Sequence, residues 1–126
     1  MGTQTILVVD DEKLIRWALC EALRKDYTVY TAASAEEAMN LVGRLDVDVV
    51  ITDLKMPGMN GLEFIEFLRR KHPQVKVFAL SAYAGDALTK QLLAVGVREV
   101  FAKPFDMTQL LESLDREVRE PHEAAG

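Results

Sequence analysis

Cysteine is nearly absent from this sequence: Cys20 is the single one among 126 residues, so no internal disulfide can form. There is also no spacing typical of a zinc site, no apolar run long enough to cross a membrane, and no signal peptide at the start. These absences exclude a disulfide-stapled secreted domain and a membrane-spanning chain. We therefore expect a protein of the reducing cytoplasm that makes no membrane contact.

Positive charge is in the minority. Fifteen lysines and arginines stand against 20 aspartates and glutamates, which gives a formal net charge of −5. Nucleic-acid-binding surfaces are typically basic, so we do not expect direct contact with nucleic acid. Apolar residues make up 49% of the chain, enough for a packed core, and the length suits one domain. We assign this domain to residues 4–119 and expect 120–126 to be a tail or the start of a linker to an absent output domain.

Short apolar runs alternate with longer amphipathic stretches along the chain. Runs without polar alternation are typical of strands that are covered on both faces. We predict such strands at residues 6–9, 49–52, 75–80 and 99–102. The more polar segment 27–31 has the composition of an edge strand.

Five stretches between these runs have helical spacing. We predict helices at residues 12–25, about 35–44, 62–71, about 84–95, and from about 106 to before 121. The second follows a capping box made by Ser34 and Glu37, the third is stopped by Pro73, and the fourth ends before Gly96. The alternation predicts a doubly wound α/β fold with five parallel strands. Chains of this size commonly adopt the flavodoxin-like strand order 2-1-3-4-5.

Polar residues end four of the predicted strands: Asp10, Asp11, Asp53, Ser81 and Lys103. Parallel strands deliver their carboxyl ends to one rim, so these side chains are expected to converge. Each alone has an ordinary structural interpretation, such as a helix cap, a loop residue or a surface charge. Three converging carboxylates repel one another unless a cation neutralises them, and Mg²⁺ takes carboxylate and phosphate oxygens. Acids for a metal, a lysine and a hydroxyl together describe a phosphoryl-transfer site.

Four motifs resemble those of the receiver domains of two-component response regulators. They are Val-Val-Asp-Asp-Glu at 8–12, Asp-Leu-Lys-Met-Pro-Gly-Met-Asn-Gly at 53–61, Leu-Ser-Ala at 80–82 and Ala-Lys-Pro-Phe at 102–105. The resemblance covers roughly residues 5–118. It implies a phosphorylation switch, controlled by a sensor histidine kinase or a phosphotransfer protein, that regulates an output such as transcription.

The resemblance also implies roles for individual residues. Asp53 would be the phosphoacceptor that attacks phosphohistidine, and Lys103 would pair with a phosphoryl oxygen. The bond between Lys103 and Pro104 would be a cis peptide. Ligands of Mg²⁺ (or Mn²⁺) would be Asp10, Asp11, Asp53 and the backbone carbonyl of Lys55.

Ser81 and Phe101 would form the switch, with Ser81 moving to the phosphoryl group and Phe101 turning into the vacated space. Both depart from the commoner threonine and tyrosine of the family. The surface of the fourth helix, fifth strand and fifth helix would then change, and a homodimer could form through it. Tyr83, two residues after Ser81, is expected to hinder water and to lengthen the lifetime of the phosphoryl group.

Two other functions are weighed against this switch. A metabolite phosphatase would want an Asp-x-Asp arrangement after the first strand, whereas Asp10 and Asp11 are adjacent. A receiver-like chain that only docks partners is disfavoured because every chemical position is filled. Kinases of the family dock near the first helix, so Trp17, placed opposite its apolar stripe, is a candidate specificity patch together with Arg16.

Overall fold

The computed structural model describes residues 3–56, 58, 60–82 and 85–119, and ten elements alternate along them. In chain order they are β1 (Thr5–Val9), α1 (Lys13–Leu23), β2 (Thr28–Ala32), α2 (Ala35–Arg44), β3 (Val49–Asp53), α3 (Gly61–Lys71), β4 (Lys76–Ser81), α4 (Asp86–Ala94), β5 (Glu99–Ala102) and α5 (Met107–Arg119). The predicted alternation is confirmed. The expected tail at 120–126 and the residue Tyr83 lie outside the described residues, as do Pro57 and Met59 of the long motif.

The strands form one parallel sheet in the order β2-β1-β3-β4-β5, which confirms the predicted order and fold class. β2 is an edge strand, as its composition predicts, and its residues alternate between exposed and partly buried positions. β1, β3 and β4 are almost wholly buried because helices cover both faces of the sheet. The parallel register brings the carboxyl ends of the strands to a common rim.

Two apolar clusters fill the space between the sheet and its helices. One face packs against α2, α3 and α4 through side chains such as Val42, Phe64 and Leu92. The other face packs against α1 and α5 through side chains such as Leu19 and Leu110. Each such buried side chain stabilises the fold by about 1.5–3 kcal/mol relative to an exposed one. These two layers hold the strand ends in place as a rigid platform.

Helix starts follow the local chemistry of the sequence. Ser34 accepts a hydrogen bond from the backbone N–H of Glu37 at 3.1 Å, and the Glu37 side chain accepts one from the N–H of Ala33 at 2.8 Å. α3 begins one residue earlier than predicted because Asn60 caps it. Gly61 is required there, since a Cβ would lie 2.4 Å from the Cα of Leu54.

No helix in the described part of the chain is both long enough and apolar enough to span a membrane.

Candidate functional site

Four strands bring polar side chains to the rim at their carboxyl ends. Asp10 follows β1 directly, Asp53 ends β3, Ser81 ends β4 and Lys103 follows β5. The backbone N–H of Lys103 donates to the carbonyl of Ser81 at 2.8 Å, which continues the pairing of β4 and β5 up to the site. The convergence that the strand pattern predicts is therefore present in the structure.

Three carboxylates form a compact cluster at this rim. Oxygens of Asp10, Asp11 and Asp53 all lie within 4.8 Å of one another. Asp10 is fully buried and Asp53 is 5% exposed, whereas Asp11 faces solvent. An all-oxygen donor set with one wet side fits Mg²⁺, which binds carboxylates and keeps several waters. The cluster can hold a divalent cation without rearranging the sheet.

Lys103 is the cation of the site. Its Nζ lies 2.9 Å from Asp10 Oδ2, 3.2 Å from Asp53 Oδ2 and 3.2 Å from Glu12 Oε1. Burial by itself lowers the pKa of Lys103, but the hydrogen bonds and charges of Asp10 and Asp53 outweigh burial and raise the pKa above its usual range. Lys103 therefore keeps its charge at neutral pH and points at the carboxylates of Asp10 and Asp53.

The pKa of the buried Asp10 carboxyl is shifted so that its charged form is disfavoured. Burial raises the pKa of its carboxyl, and the nearby charge of Asp53 raises it further. Hydrogen bonds from the N–H of Glu12, at 2.9 Å, and from Lys103 only partly oppose this rise. The ionised form of Asp10 is thus strained in spite of its lysine partner, and an added cation would relieve that strain.

Glu12 is a site residue that the sequence reasoning missed. It stands at the N-cap position of α1, where its side chain makes no capping hydrogen bond. The side chain is 61% exposed and pairs with Lys103 instead. Its place in the matched motif, directly after Asp10 and Asp11, was the signal that could have marked it.

Ser81 and Phe101 lie behind the charged rim. Ser81 is 3% exposed and Phe101 is 8% exposed. The ring of Phe101 stacks on Phe78 with centroids 6.4 Å apart and an interplanar angle of 21°. The ring of Phe101 is thus packed inward in this structure. The cis peptide between Lys103 and Pro104, implied by the resemblance, is present.

The loop after β3 completes the site. The backbone N–H of Lys55 donates to Asp53 Oδ1 at 3.3 Å, and Gly58 has a positive φ of 85° that favours glycine. Lys55 and Met56 share a surface depression with the acids and Lys103. The backbone of this loop therefore lies beside the Asp53 carboxylate.

The docking patch predicted for Trp17 and Arg16 stays a prediction, and the structure places the two side chains in different environments. Trp17 is 63% exposed, as predicted. Arg16 is partly buried, and its Nη1 donates to the backbone carbonyl oxygen of Asp10 at 2.8 Å. The Arg16 side chain thereby reaches back across six residues to the end of β1. Leu14, 78% exposed, is the apolar neighbour that Trp17 has on the surface of α1.

This fold and rim define a class of protein: a doubly wound α/β domain whose acidic edge suits metal-assisted phosphoryl chemistry. A model of the response regulator receiver domain family matches residues 6–115. The chain belongs to this family, whose members are phosphoacceptor modules of two-component systems.

Named relatives agree with this assignment. Sporulation initiation phosphotransferase F of Bacillus subtilis is 30% identical over 117 residues, which cover 92% of this chain and 94% of that protein. The hydrogenase transcriptional regulatory protein HoxA of Cupriavidus necator is 32% identical over 123 residues, or 97% of this chain and 25% of HoxA. The chain spans only 12% of the length of a further relative, the sensor kinase CckA of Brucella abortus. The non-phosphorylated HemR receiver domain of Leptospira biflexa superposes with a TM-score of 0.88 at 31% identity, covering 95% of this chain and 99% of that one.

Proposed function

We propose that Asp53 accepts a phosphoryl group from the phosphohistidine of a sensor histidine kinase or a phosphotransfer protein. The observation that carries the proposal is the position of the Asp53 carboxylate, 3.2 Å from Lys103 and within 4.8 Å of two further carboxylates. An Asp53 oxygen forms the new oxygen–phosphorus bond while the phosphorus–nitrogen bond to the donor imidazole breaks. The electron pair stays on the imidazole nitrogen, which takes a proton from solvent.

Metal binding belongs to the same proposal. The residues that would hold Mg²⁺, or Mn²⁺, are Asp10, Asp11, Asp53 and the backbone carbonyl of Lys55. Bound Mg²⁺ supplies charge neutralisation and coordination of a phosphoryl oxygen. The family as a whole supports this reading, and so does the all-oxygen donor set with its solvent-facing Asp11.

Lys103 would pair with negative charge both before and after the transfer. Before transfer it pairs with the carboxylates of Asp10 and Asp53. Once Asp53 becomes an acyl phosphate, the negative charge that Lys103 faces moves outward to the phosphoryl oxygens. The same residues would assist the attack of water that removes the group. The chain would thus catalyse its own phosphorylation and dephosphorylation while acting as a switch.

The switch would operate through Ser81, Phe101 and the surface formed by α4, β5 and α5. Ser81 would move toward the phosphoryl group, and the population of the inward packing of Phe101 would rise. Because phenylalanine has no hydroxyl, inward packing leaves no polar atom unsatisfied. The altered surface could mediate a homodimer or control an output such as transcription. We place this exchange in the cytoplasm, where ATP-dependent kinases form phosphohistidine.

We propose that the donor docks on α1 beside the site. Leu14 and Trp17 are exposed on this helix, and a depression lined by Ile15, Pro104 and Phe105 leads from it to Lys103. An exposed tryptophan is a typical anchor of a protein interface. Transfer from the cognate kinase to Trp17→Ala should be slower, whereas transfer from a small phosphodonor should stay unchanged.

Incubation with acetyl phosphate and Mg²⁺, followed by mass spectrometry of the intact chain, tests the proposal. We expect one phosphoryl group per chain, stable in acid and labile to hydroxylamine, and none after chelation of Mg²⁺. The isosteric variant Asp53→Asn should stay unmodified. Continuous turnover of a metabolite without a stable adduct would favour an enzyme, and no adduct from any donor would favour a docking module.

A further inference from the structure

The turn between β1 and α1 carries two of the three clustered acids. The start of α1 provides few of the capping interactions that usually hold such a turn in place. The N-cap residue Glu12 makes no side-chain capping bond, and the first turn of α1 has no acidic residue to favour the helix dipole. Asp10 Oδ1 accepts the N–H of Glu12, which ties one acid to the helix start. The second acid, Asp11, is exposed and has no hydrogen bond from its side chain within the described residues.

Arg16 supplies a second tie from inside the helix. Its Nη1 donates to the backbone carbonyl oxygen of Asp10 at 2.8 Å, across six residues. A hydrogen bond from a charged donor contributes about 1.5–3 kcal/mol. The carbonyl that Arg16 holds belongs to the peptide plane between Asp10 and Asp11. The orientation of this plane decides the direction in which the Asp11 side chain leaves the backbone.

We propose that Arg16 is a positioning residue of the metal site. By holding the Asp10 carbonyl, it fixes the peptide plane that aims the Asp11 carboxylate at Asp10 and Asp53. The positive charge of Arg16 by itself disfavours a bound cation, so a loss of Mg²⁺ affinity on its removal would report lost orientation of the ligands. The inference rests on the proposed binding of Mg²⁺ by the acidic cluster. It differs from the docking role because the guanidinium faces the site, whereas Trp17 beside it faces solvent.

The magnesium affinity of the full chain tests this role. Isothermal titration calorimetry would compare the parent with Arg16→Ala and with Arg16→Met, which keeps an apolar stem. Groups that orient metal ligands typically change affinity by 10- to 100-fold, and we expect about a tenfold loss in both variants. Arg16→Lys should recover part of the loss, because an ammonium group can donate one bond to the same carbonyl.

A matched control removes Arg24, the C-cap residue that directly follows α1. Arg24 is exposed, and its described ion pair is a 3.5 Å contact with Glu21, so Arg24→Ala should keep the parent's affinity. Phosphorylation by acetyl phosphate should slow in Arg16→Ala at low Mg²⁺ and approach the parent's rate at saturating Mg²⁺. That split separates weaker metal binding from general damage to the fold.

Failure of the proposed function and failure of the Arg16 role would give different results. A parent chain that binds no Mg²⁺ would contradict the proposed function itself. A parent that binds Mg²⁺, with Arg16→Ala or Arg16→Met binding equally tightly, would overturn only the role of Arg16. Normal Mg²⁺ affinity together with slow transfer from a kinase would also overturn it, and would assign Arg16 to docking.

Discussion

Removal of the Asp53 charge should stabilise the chain in the absence of divalent metal. The carboxylates of Asp53 and Asp10 lie no more than 4.8 Å apart, so at an effective dielectric constant of about 20 they repel by at least about 3.5 kcal/mol. The exposed Asp11 adds about 1 kcal/mol, because water screens it. The Lys103–Asp53 attraction at 3.2 Å is about 5 kcal/mol on the same scale, so the direct charge terms nearly cancel.

What remains is the cost of burying the Asp53 carboxylate, since the residue is only 5% exposed. Burial of an ion costs several kcal/mol, and part of this is offset by lost hydrogen bonds and by a small cavity in Asp53→Ala. We expect a net gain of about 1–2 kcal/mol, or roughly 3–8 °C in melting temperature for a domain of this size.

Thermal melts with and without Mg²⁺ measure this gain. Mg²⁺ at a hundred times its dissociation constant should stabilise the parent by about 2.7 kcal/mol and Asp53→Ala by less. Asp53→Asn removes the charge at constant volume, and Asp46→Ala removes an exposed charge away from the site as a control. A parent that is indifferent to Mg²⁺, or an Asp53→Ala variant that melts lower than the parent in chelator, would refute the reasoning.

Four further substitutions have expected outcomes. Lys103→Met should abolish phosphorylation by acetyl phosphate and cost about 3–5 kcal/mol in urea unfolding without Mg²⁺, because the buried Asp10 loses its cation; stability equal to the parent's would contradict this. Phe101→Ala should cost about 3–5 kcal/mol by opening a cavity against Phe78, and a loss below 1 kcal/mol would mean that the ring is not packed inward. Gly61→Ala should destabilise the chain because its Cβ would meet the Leu54 backbone at 2.4 Å, whereas Gly43→Ala, with open space around it in α2, should stabilise by about 0.4–1 kcal/mol.

The centre of the sheet was predictable because β1, β3 and β4 are buried on both faces. Each of these strands is a continuous apolar run in the sequence, which is typical of a strand covered on both faces. The polar residue at the end of each run marks the rim of the sheet. The sequence pattern alone therefore predicts that one rim brings together Asp10, Asp53, Ser81 and Lys103. The helix ends were predicted less closely, as for α1, which ends at Leu23 and not near Lys25, because fraying and capping decide them locally.

The rest of the site depends on side-chain direction, which sequence spacing does not encode. The Glu12 side chain contacts Lys103, and the Arg16 side chain donates to the Asp10 carbonyl oxygen. Both contacts depend on the path of the backbone between β1 and α1. An arginine at that position fits an exposed docking patch equally well by periodicity. The inward packing of the Phe101 ring on Phe78 likewise depends on neighbours that are distant in sequence. Tertiary packing decides each of these three cases.

The account depends most on Asp53 as the single acceptor. After treatment with acetyl phosphate and Mg²⁺, reduction with borohydride converts an aspartyl phosphate to homoserine, and peptide mass spectrometry then locates it. We predict homoserine at position 53 alone, and its loss when Mg²⁺ is chelated. Homoserine at Asp10 or Asp11, or none at all while the chain binds Mg²⁺ normally, would contradict the account.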